Sequence, residues 1–308
     1  MQTDPTGYWT FFCNPAKWAI DRFLATNTEQ DDYMVTTWQG DYFRAGQLGV
    51  IRVGHDKRKR QQLGPSGRLT RGIYAVVQIE GPARPSTHGE DPFWLEAPKG
   101  HDRLSVPIKY VRNLLANPLS LDALAKDPAV NDKWLIRGFQ SASMPLQSST
   151  FRRILALAEI GPAAIESVQL DPARTQTDIV KLEKRYQNAT PEIREAISRR
   201  IERGSLARRI KAVTRYQCLI CRALGADPLG FKMKNGKRYV EVHHMIPVSL
   251  RTPGSLGVKN LITVCANHHR QLHFGDCELT STTTARFTFR IDDREVQVRR
   301  LRTATSLT

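Results

Sequence analysis

Asn260-Leu-Ile-Thr-Val-Cys265-Ala-Asn-His268-His269-Arg-Gln-Leu-His273-Phe-Gly275 is the stretch on which the reading of this chain turns. It opens as a short apolar run suited to a strand and continues as a helix that Gly275 closes. His269 and His273 are four residues apart, so they share one helix face. Upstream, Cys218-Leu-Ile-Cys221 has the same spacing as Cys265-Ala-Asn-His268. Such a bite lets two side chains hold one ion, and two bites make a Cys3His tetrahedron from Cys218, Cys221, Cys265 and His268, a closed structural zinc site. The alternative is that the cysteines are buried and merely pack as small apolar groups; paired zinc-ligand spacings argue against it. Cys277 fits neither pair and is at most a substitute ligand, and Cys13 is expected in a core.

Between the pairs, Arg238 to His244 alternates like a strand and follows Asn235-Gly236, a hairpin turn signal. Met245 to Lys259, with its prolines and glycines, reads as a long loop before the second strand. Strand, loop, strand and helix, with His243-His244 ending the first strand, Asn260 before the second and His269 and His273 on the helix, resemble the HNH (ββα-metal) endonuclease family over residues 206–277. Many relatives have cysteine as the fourth zinc ligand, where this chain has His268.

The resemblance implies phosphodiester hydrolysis, with His244 as the general base. It implies that His243 and His269 hold one divalent ion, magnesium or another, against the scissile phosphate. His273 completes that site or orients the phosphate, and Asn260 pins the loop and with it His244. Imidazole suits the base role because it titrates near neutral pH. Glu241, on the strand face of His243, is either a partner for a metal-bound histidine or a surface charge. A zinc knuckle that binds DNA without cutting needs no histidine beyond the zinc frame, and it stays open as an alternative.

The amino-terminal part reads as mixed α and β. Strands are expected at Tyr8 to Phe12, Gly49 to Val53, Gly72 to Ile79 and Leu104 to Val106, with a short helix over Trp18 to Leu24. Asp56 to Arg71 is polar and basic and reads as a mobile loop. Tyr8-Trp-Thr-Phe-Phe-Cys-Asn14-Pro15, then Trp18, Trp38 and Gly72-Ile-Tyr-Ala-Val, resemble the EVE domain, a small β-barrel of the PUA group, over residues 6–150. Arg52 stands where relatives often carry an aromatic. The resemblance implies a reader of modified bases, in which a flipped base enters an aromatic pocket. Trp38 and Asn14 are then the candidates for stacking and edge contact, and Trp94 for a second wall. The plainer readings are core packing for Trp38 and Trp94 and a turn for Asn14. For Trp9 and Trp18 core packing is preferred.

The middle of the chain has helical spacing at Phe151, Ile154, Leu155, Leu157 and Ala158, and again at Ile179, Leu182 and Tyr186. Thr190-Pro191 starts a further helix, with Glu192 near its positive end. A basic run follows, including Arg194, Arg199, Arg203, Arg208, Arg209 and Lys211, expected to meet DNA phosphates unless it is a solvated face. At the end of the chain, Phe287, Phe289 and Ile291, then Asp292-Asp293, then Val296 and Val298 read as a β-hairpin.

The expected class is therefore α+β: an EVE-like, PUA-type barrel over 1–150, a helical basic linker over 151–205, and an HNH domain over 206–308. A net charge of +16 over 308 residues favours a polyanionic partner. Five scattered cysteines do not make a disulfide framework, which fits a reducing cytoplasm. No secretory signal and no membrane span are expected. Joined, the two resemblances imply a modification-dependent restriction endonuclease acting on double-stranded DNA that carries methylated or hydroxymethylated cytosine. One cutting site per chain would favour a homodimer. Two readings compete: an HNH nickase or endonuclease for unmodified DNA, and a nucleic-acid reader that does not cut.

Overall fold

The computed structural model describes residues 5–65, 67–86, 91–96, 103–167 and 174–301. The fold is α+β, as expected. Of the described residues, those within 1–169 and 188–193 form one compact unit, and those within 170–187 and 194–308 form another. The stretch 151–205, expected as a helical linker, falls partly in each unit. The physical reason lies in its apolar faces, each of which finds a core. In the helix Ser148–Leu157, Phe151, Ile154 and Leu155 are buried, and Phe151 lies 5.0 Å from the Tyr8 ring. Leu157, expected on that face, is exposed. In the helix Gln176–Arg185, Ile179 and Leu182 are buried, and Thr175 and Asp178 cap its start reciprocally.

The first unit is built on one sheet: β1 (Tyr8–Cys13), β2 (Gln30–Val35), β3 (Leu48–Val53), β4 (Gly72–Ile79), β5 (Arg84–Pro85), β6 (Leu104–Asn113), β7 (Leu119–Ser120) and β8 (Ser143–Pro145). Its main path runs β2-β6-β4-β3-β1-β8, so β2 and β8 are its edges. The near-continuous apolar run of β4 puts it in the middle, and every residue of β3 and β4 is buried. β1 pairs in parallel with β3, Tyr8 opposite Leu48 and Cys13 opposite Val53. The helix expected over Trp18 to Leu24 is Ile20–Ala25. Trp9, Phe11, Phe43, Trp18, Phe23 and Tyr33 fill the core with Cys13.

The stretch after β3 differs from the mobile loop expected. The Arg58 side chain is wholly buried, donating to Asp21 at 2.8 and 3.0 Å and to Asp56 at 2.8 Å. Asp56 also accepts from the Leu69 amide at 2.9 Å. A polar sequence can be a fixed one when its charges neutralise each other out of water, and here they tie the loop to the helix Ile20–Ala25.

In the second unit, β9 (Glu241–His244) and β10 (Leu261–Val264) pair antiparallel, His243 opposite Ile262 and His244 opposite Leu261. The strand expected from Arg238 begins only at Glu241. The helix Ala266–Phe274 follows β10 directly. The expected terminal hairpin is a three-stranded sheet of β11 (Cys277–Thr282), β12 (Arg286–Ile291) and β13 (Arg294–Arg299). Asp292 and Asp293 turn between β12 and β13 with φ of 45° and 62°. The sheet's apolar face, Phe287, Phe289, Ile291, Val296 and Val298, packs with Ile220, Ile262 and Val264. This core carries both the cysteine pair and the strand that leads to the histidines.

Candidate active site

Both ends of β9–β10 deliver chemistry. His243 and His244 point to opposite faces of β9, as successive strand residues must. The helix Ala266–Phe274 presents His269 and His273 on the side where His243 emerges. The three rings sit with centroids 5.1, 4.8 and 4.8 Å apart. One nitrogen of each lies within 4.8 Å of the others, close enough for all three to hold one divalent ion. Burial pushes the His243 imidazole down to about 3, with the neighbouring histidines adding to it against Glu202. Burial and His269 likewise lower His273. The neutral form is the one that binds metal. Nδ1 of His243 and Nε2 of His269 are buried with no hydrogen-bond partner among the described residues, as ligand atoms require.

Glu241 resolves as a partner of the cluster. Its Oε2 lies 2.6 Å from Nδ1 of His269, and its Oε1 accepts the Tyr239 hydroxyl at 2.8 Å. An ionised carboxylate accepts, so it holds the proton of His269 on Nδ1 and leaves Nε2 open.

His244 lies on the other face and is 5% exposed. Its Nδ1 is 2.8 Å from Oε1 of Glu202 and 2.8 Å from Oγ of Ser198. The same Glu202 oxygen accepts the His244 amide at 3.1 Å and the Ser198 hydroxyl at 3.3 Å. Burial alone would raise the Glu202 carboxyl, but its His244 bonds and the adjacent His243 outweigh that and hold it below the usual value. With Nδ1–H donated to this carboxylate, Nε2 of His244 is the basic atom, and among the described residues it has no partner. Sequence reading missed Glu202 and Ser198. The one signal available was their spacing, four apart on the helix Pro191–Arg203, within a run read only for its positive charge.

Asn260 is wholly buried. Its amide donates to the carbonyls of Ile246 at 2.9 Å and Ser255 at 2.6 Å, and its Oδ1 accepts the Ile246 amide at 2.8 Å. These bonds fix both ends of the loop that follows His244.

The sulfur site is equally compact. Nδ1 of His268 lies 3.3 Å from each of Cys218, Cys221 and Cys265 Sγ, and Cys221 and Cys265 are 4.0 Å apart. A zinc tetrahedron with bonds of about 2.0–2.3 Å has edges of about 3.5–3.8 Å, so the four groups fit the ion. Cys277 is outside this group, and Cys13 is buried in the first unit's core.

A cavity of about 710 Å³ opens at the histidines, and Arg199 and Arg203 line it. Arg208 and Arg209 are exposed on the next helix, Ser205–Val213, and Lys211 is half-buried there. Arg194 is different. It is wholly buried, donating to the carbonyls of Val248 at 2.8 Å and Tyr186 at 3.1 Å and to Ser255 Oγ at 2.8 Å. It braces the loop that Asn260 also holds and is out of reach of phosphate.

The first unit has its own cavity, of about 1320 Å³. Asn14, Trp18 and Trp94 line it together with Phe12, Arg52 and Phe139. Trp38 does not reach it. It sits on the turn Thr37–Tyr42, 50% exposed. Trp18, expected as core, is buried there and also forms cavity wall, its Nε1 donating to Asp91 at 2.8 Å. Asn14 is exposed, and its Oδ1 is occupied by the Ala16 amide at 3.0 Å. Arg52, seen in the sequence only as a departure, is buried, with Nε donating to the Leu135 carbonyl at 2.5 Å and the guanidinium over the Phe12 ring. Burial, reinforced by Arg71, pushes it down to about 10.

Residues 218–275 match the HNH endonuclease family. That stretch is an HNH endonuclease domain, and the protein is accordingly a nuclease, a phosphodiester hydrolase. No curated protein matches the sequence. Among solved structures, the chain is similar to a protein from Pseudomonas syringae at 17% identity, over 49% of this chain and 98% of that one, with a TM-score of 0.34. It is similar to human THYN1, solved in complex with DNA containing 5-methylcytosine, at 15% identity over 50% of this chain and 99% of that one, TM-score 0.35. Rpa0253 from Rhodopseudomonas palustris matches at 16% identity over 50% of this chain and 93% of that one, TM-score 0.33. No described helix is long and apolar enough to cross a membrane.

Proposed function

We propose that this protein is a modification-dependent restriction endonuclease, in which the first unit takes up a methylated or hydroxymethylated cytosine and the HNH domain cuts the DNA. The observation that carries the cutting is the His244–Glu202 pair beside three converging imidazoles. Glu202 keeps the His244 proton on Nδ1, so Nε2 accepts a proton from the attacking water. The imidazolium that forms is stabilised by the same carboxylate. His243, His269 and His273 would hold a divalent ion, magnesium or another. Such an ion supplies neutralisation of charge on the phosphate and the leaving oxygen. Asn260 keeps His244 in place, and Cys218, Cys221, Cys265 and His268 hold zinc as a cross-link. Arg199, Arg203, Arg208, Arg209 and Lys211 meet phosphates of either strand without reading sequence.

For the reader, support comes from the EVE-like sequence pattern and from the cavity whose walls include Trp18 and Trp94, with Asn14 at its edge. A flipped base needs flat apolar faces and a few polar groups at its rim. Cutting both strands with one site per chain calls for two chains, so we take a homodimer as the working form.

The test is digestion of otherwise identical duplexes containing cytosine, 5-methylcytosine or 5-hydroxymethylcytosine, with and without added divalent metal. Cleavage restricted to a modified duplex and dependent on metal is expected. Equal cutting of all three would remove the reader, and His244→Ala, which should abolish cutting while DNA is still bound, would remove the nuclease mechanism if it left the rate unchanged.

A further inference from the structure

Residues 230–239, Gly-Phe-Lys-Met-Lys-Asn-Gly-Lys-Arg-Tyr, carry four cations, Lys232, Lys234, Lys237 and Arg238, and no acidic residue. All four are exposed. The segment is nevertheless a built hairpin. Tyr239 N donates to the Phe231 carbonyl at 2.9 Å, Met233 N to the Lys237 carbonyl at 2.9 Å, and Gly236 turns the tip with φ of 82°. At Gly230 a Cβ would stand 2.4 Å from the Tyr239 carbonyl oxygen, so the close approach of the two arms requires glycine.

Phe231 is 61% exposed, an apolar ring left in water, and it stacks on Tyr239 at 4.8 Å with 11° between the planes. Tyr239 in turn is tied to the cutting centre: its hydroxyl donates to Glu241, and Glu241 holds His269. A rigid, purely cationic arm with a flat aromatic face, joined by two polar contacts to the metal cluster of a nuclease, matches a polyphosphate chain with unstacked or sugar surfaces along it.

We propose that residues 230–239 are a docking finger for the phosphate backbone of the duplex being cut, positioned beside the scissile bond through Tyr239, Glu241 and His269. This rests on the reading of the domain as a DNA-cutting one. Lys232, Lys234 and Lys237 meet phosphates, and Phe231 lies against the sugar edge next to them.

The experiment measures binding of the full-length His244→Ala protein to a fluorescein-labelled duplex across a salt series, with cleavage of the same duplex by the unsubstituted protein followed alongside. Each phosphate contact contributes about 0.9 to the slope of log affinity against log salt, so Lys232→Gln, Lys234→Gln and Lys237→Gln combined should lower the slope by about 2.7. At the lower end of about 50–200 mM salt, affinity should fall by about 40-fold more than at the upper end. The corresponding triple Lys→Arg protein should keep the parent slope. The single Lys234→Gln, at the exposed tip, should lose about 0.9 and guards against misfolding of the triple variant. Cleavage by the unsubstituted protein together with an unchanged slope in the Gln variants overturns the finger while leaving the nuclease intact. No cleavage and no binding by the parent would overturn both.

Discussion

Replacing Glu202 by Gln isolates the contribution of the carboxylate behind His244. The amide is nearly the same size, so packing is kept, but it carries no charge and brings a donor where Nδ1–H, the His244 amide and Ser198 all need an acceptor. What is lost appears when Nε2 takes up a proton: the imidazolium then faces a neutral group at 2.8 Å in place of a carboxylate. A hydrogen bond between charged groups contributes about 1.5–3 kcal/mol, and with Glu202 mostly buried the upper part of that range applies. About 2–3 kcal/mol on the barrier is a fall of about 30- to 150-fold in the single-turnover rate. Duplex affinity, measured on uncut DNA, should stay within about twofold, since Glu202 is not among the phosphate-facing groups. The assay is single-turnover cleavage of a modified duplex, read beside zinc content and melting temperature. A Glu202→Gln protein that folds, keeps its zinc and cuts within about threefold of the parent would refute the claim that His244 works through this carboxylate.

Cys218→Ser should release zinc, measured by metal analysis, and lower the melting temperature of the HNH domain; unchanged zinc and melting would remove the staple. Glu241→Gln should weaken divalent-ion binding at the histidine cluster by about 10- to 100-fold, by titration calorimetry, because His269 loses the group that fixes its open nitrogen. Arg58→Ala should cost the first unit about 3–5 kcal/mol in denaturant melts by leaving Asp21 and Asp56 buried without their cation. Burial would raise the Asp56 carboxyl, but its bonds to Arg58 and to the backbone hold it below the ordinary value, so its stabilisation is present above that value and lost as pH falls beneath it. Acid melts should therefore weaken below about pH 4, and that part of the loss should vanish in Asp56→Asn.

The parts of the site that spacing alone determines were legible in the sequence. Cys218 and Cys221, or His269 and His273, are neighbours because helix geometry makes them so, whatever the rest of the chain does. Glu202 was not legible, since it reaches His244 from a helix forty-two residues upstream in sequence, and nothing local distinguishes it from the charges around it. Arg194 and Arg58 show the converse: in sequence each looks like a surface cation, but each has enough carbonyl or carboxylate acceptors around it to be buried. Trp38 is a related case. An aromatic pattern does not say where a given ring lies, and the turn Thr37–Tyr42 leaves this one half-exposed and away from the cavity.

The Cys3His group and the histidine group share one short helix, and that sharing explains why the proposed zinc ligands and the proposed cutting histidines are interleaved in sequence. The helix Ala266–Phe274 has nine residues, too few to be stable alone. Consecutive helical residues diverge by about 100°, so adjacent His268 and His269 face different sites, while His269 and His273, one turn apart, return to the same side. Cys265, at the cap of this helix, accepts the His268 amide on its sulfur and so ties the first turn to the Cys3His group. At its other side, Glu241 reaches from β9 to His269. Zinc bound on one flank, with the strand carboxylate on the other, would leave the helix little freedom to rotate. A rotation of even a fraction of a turn would carry His269 and His273 away from His243 together. On the proposed reading, a short helix would present metal ligands with fixed geometry because a second, chemically inert ion holds its beginning and a strand carboxylate holds its flank.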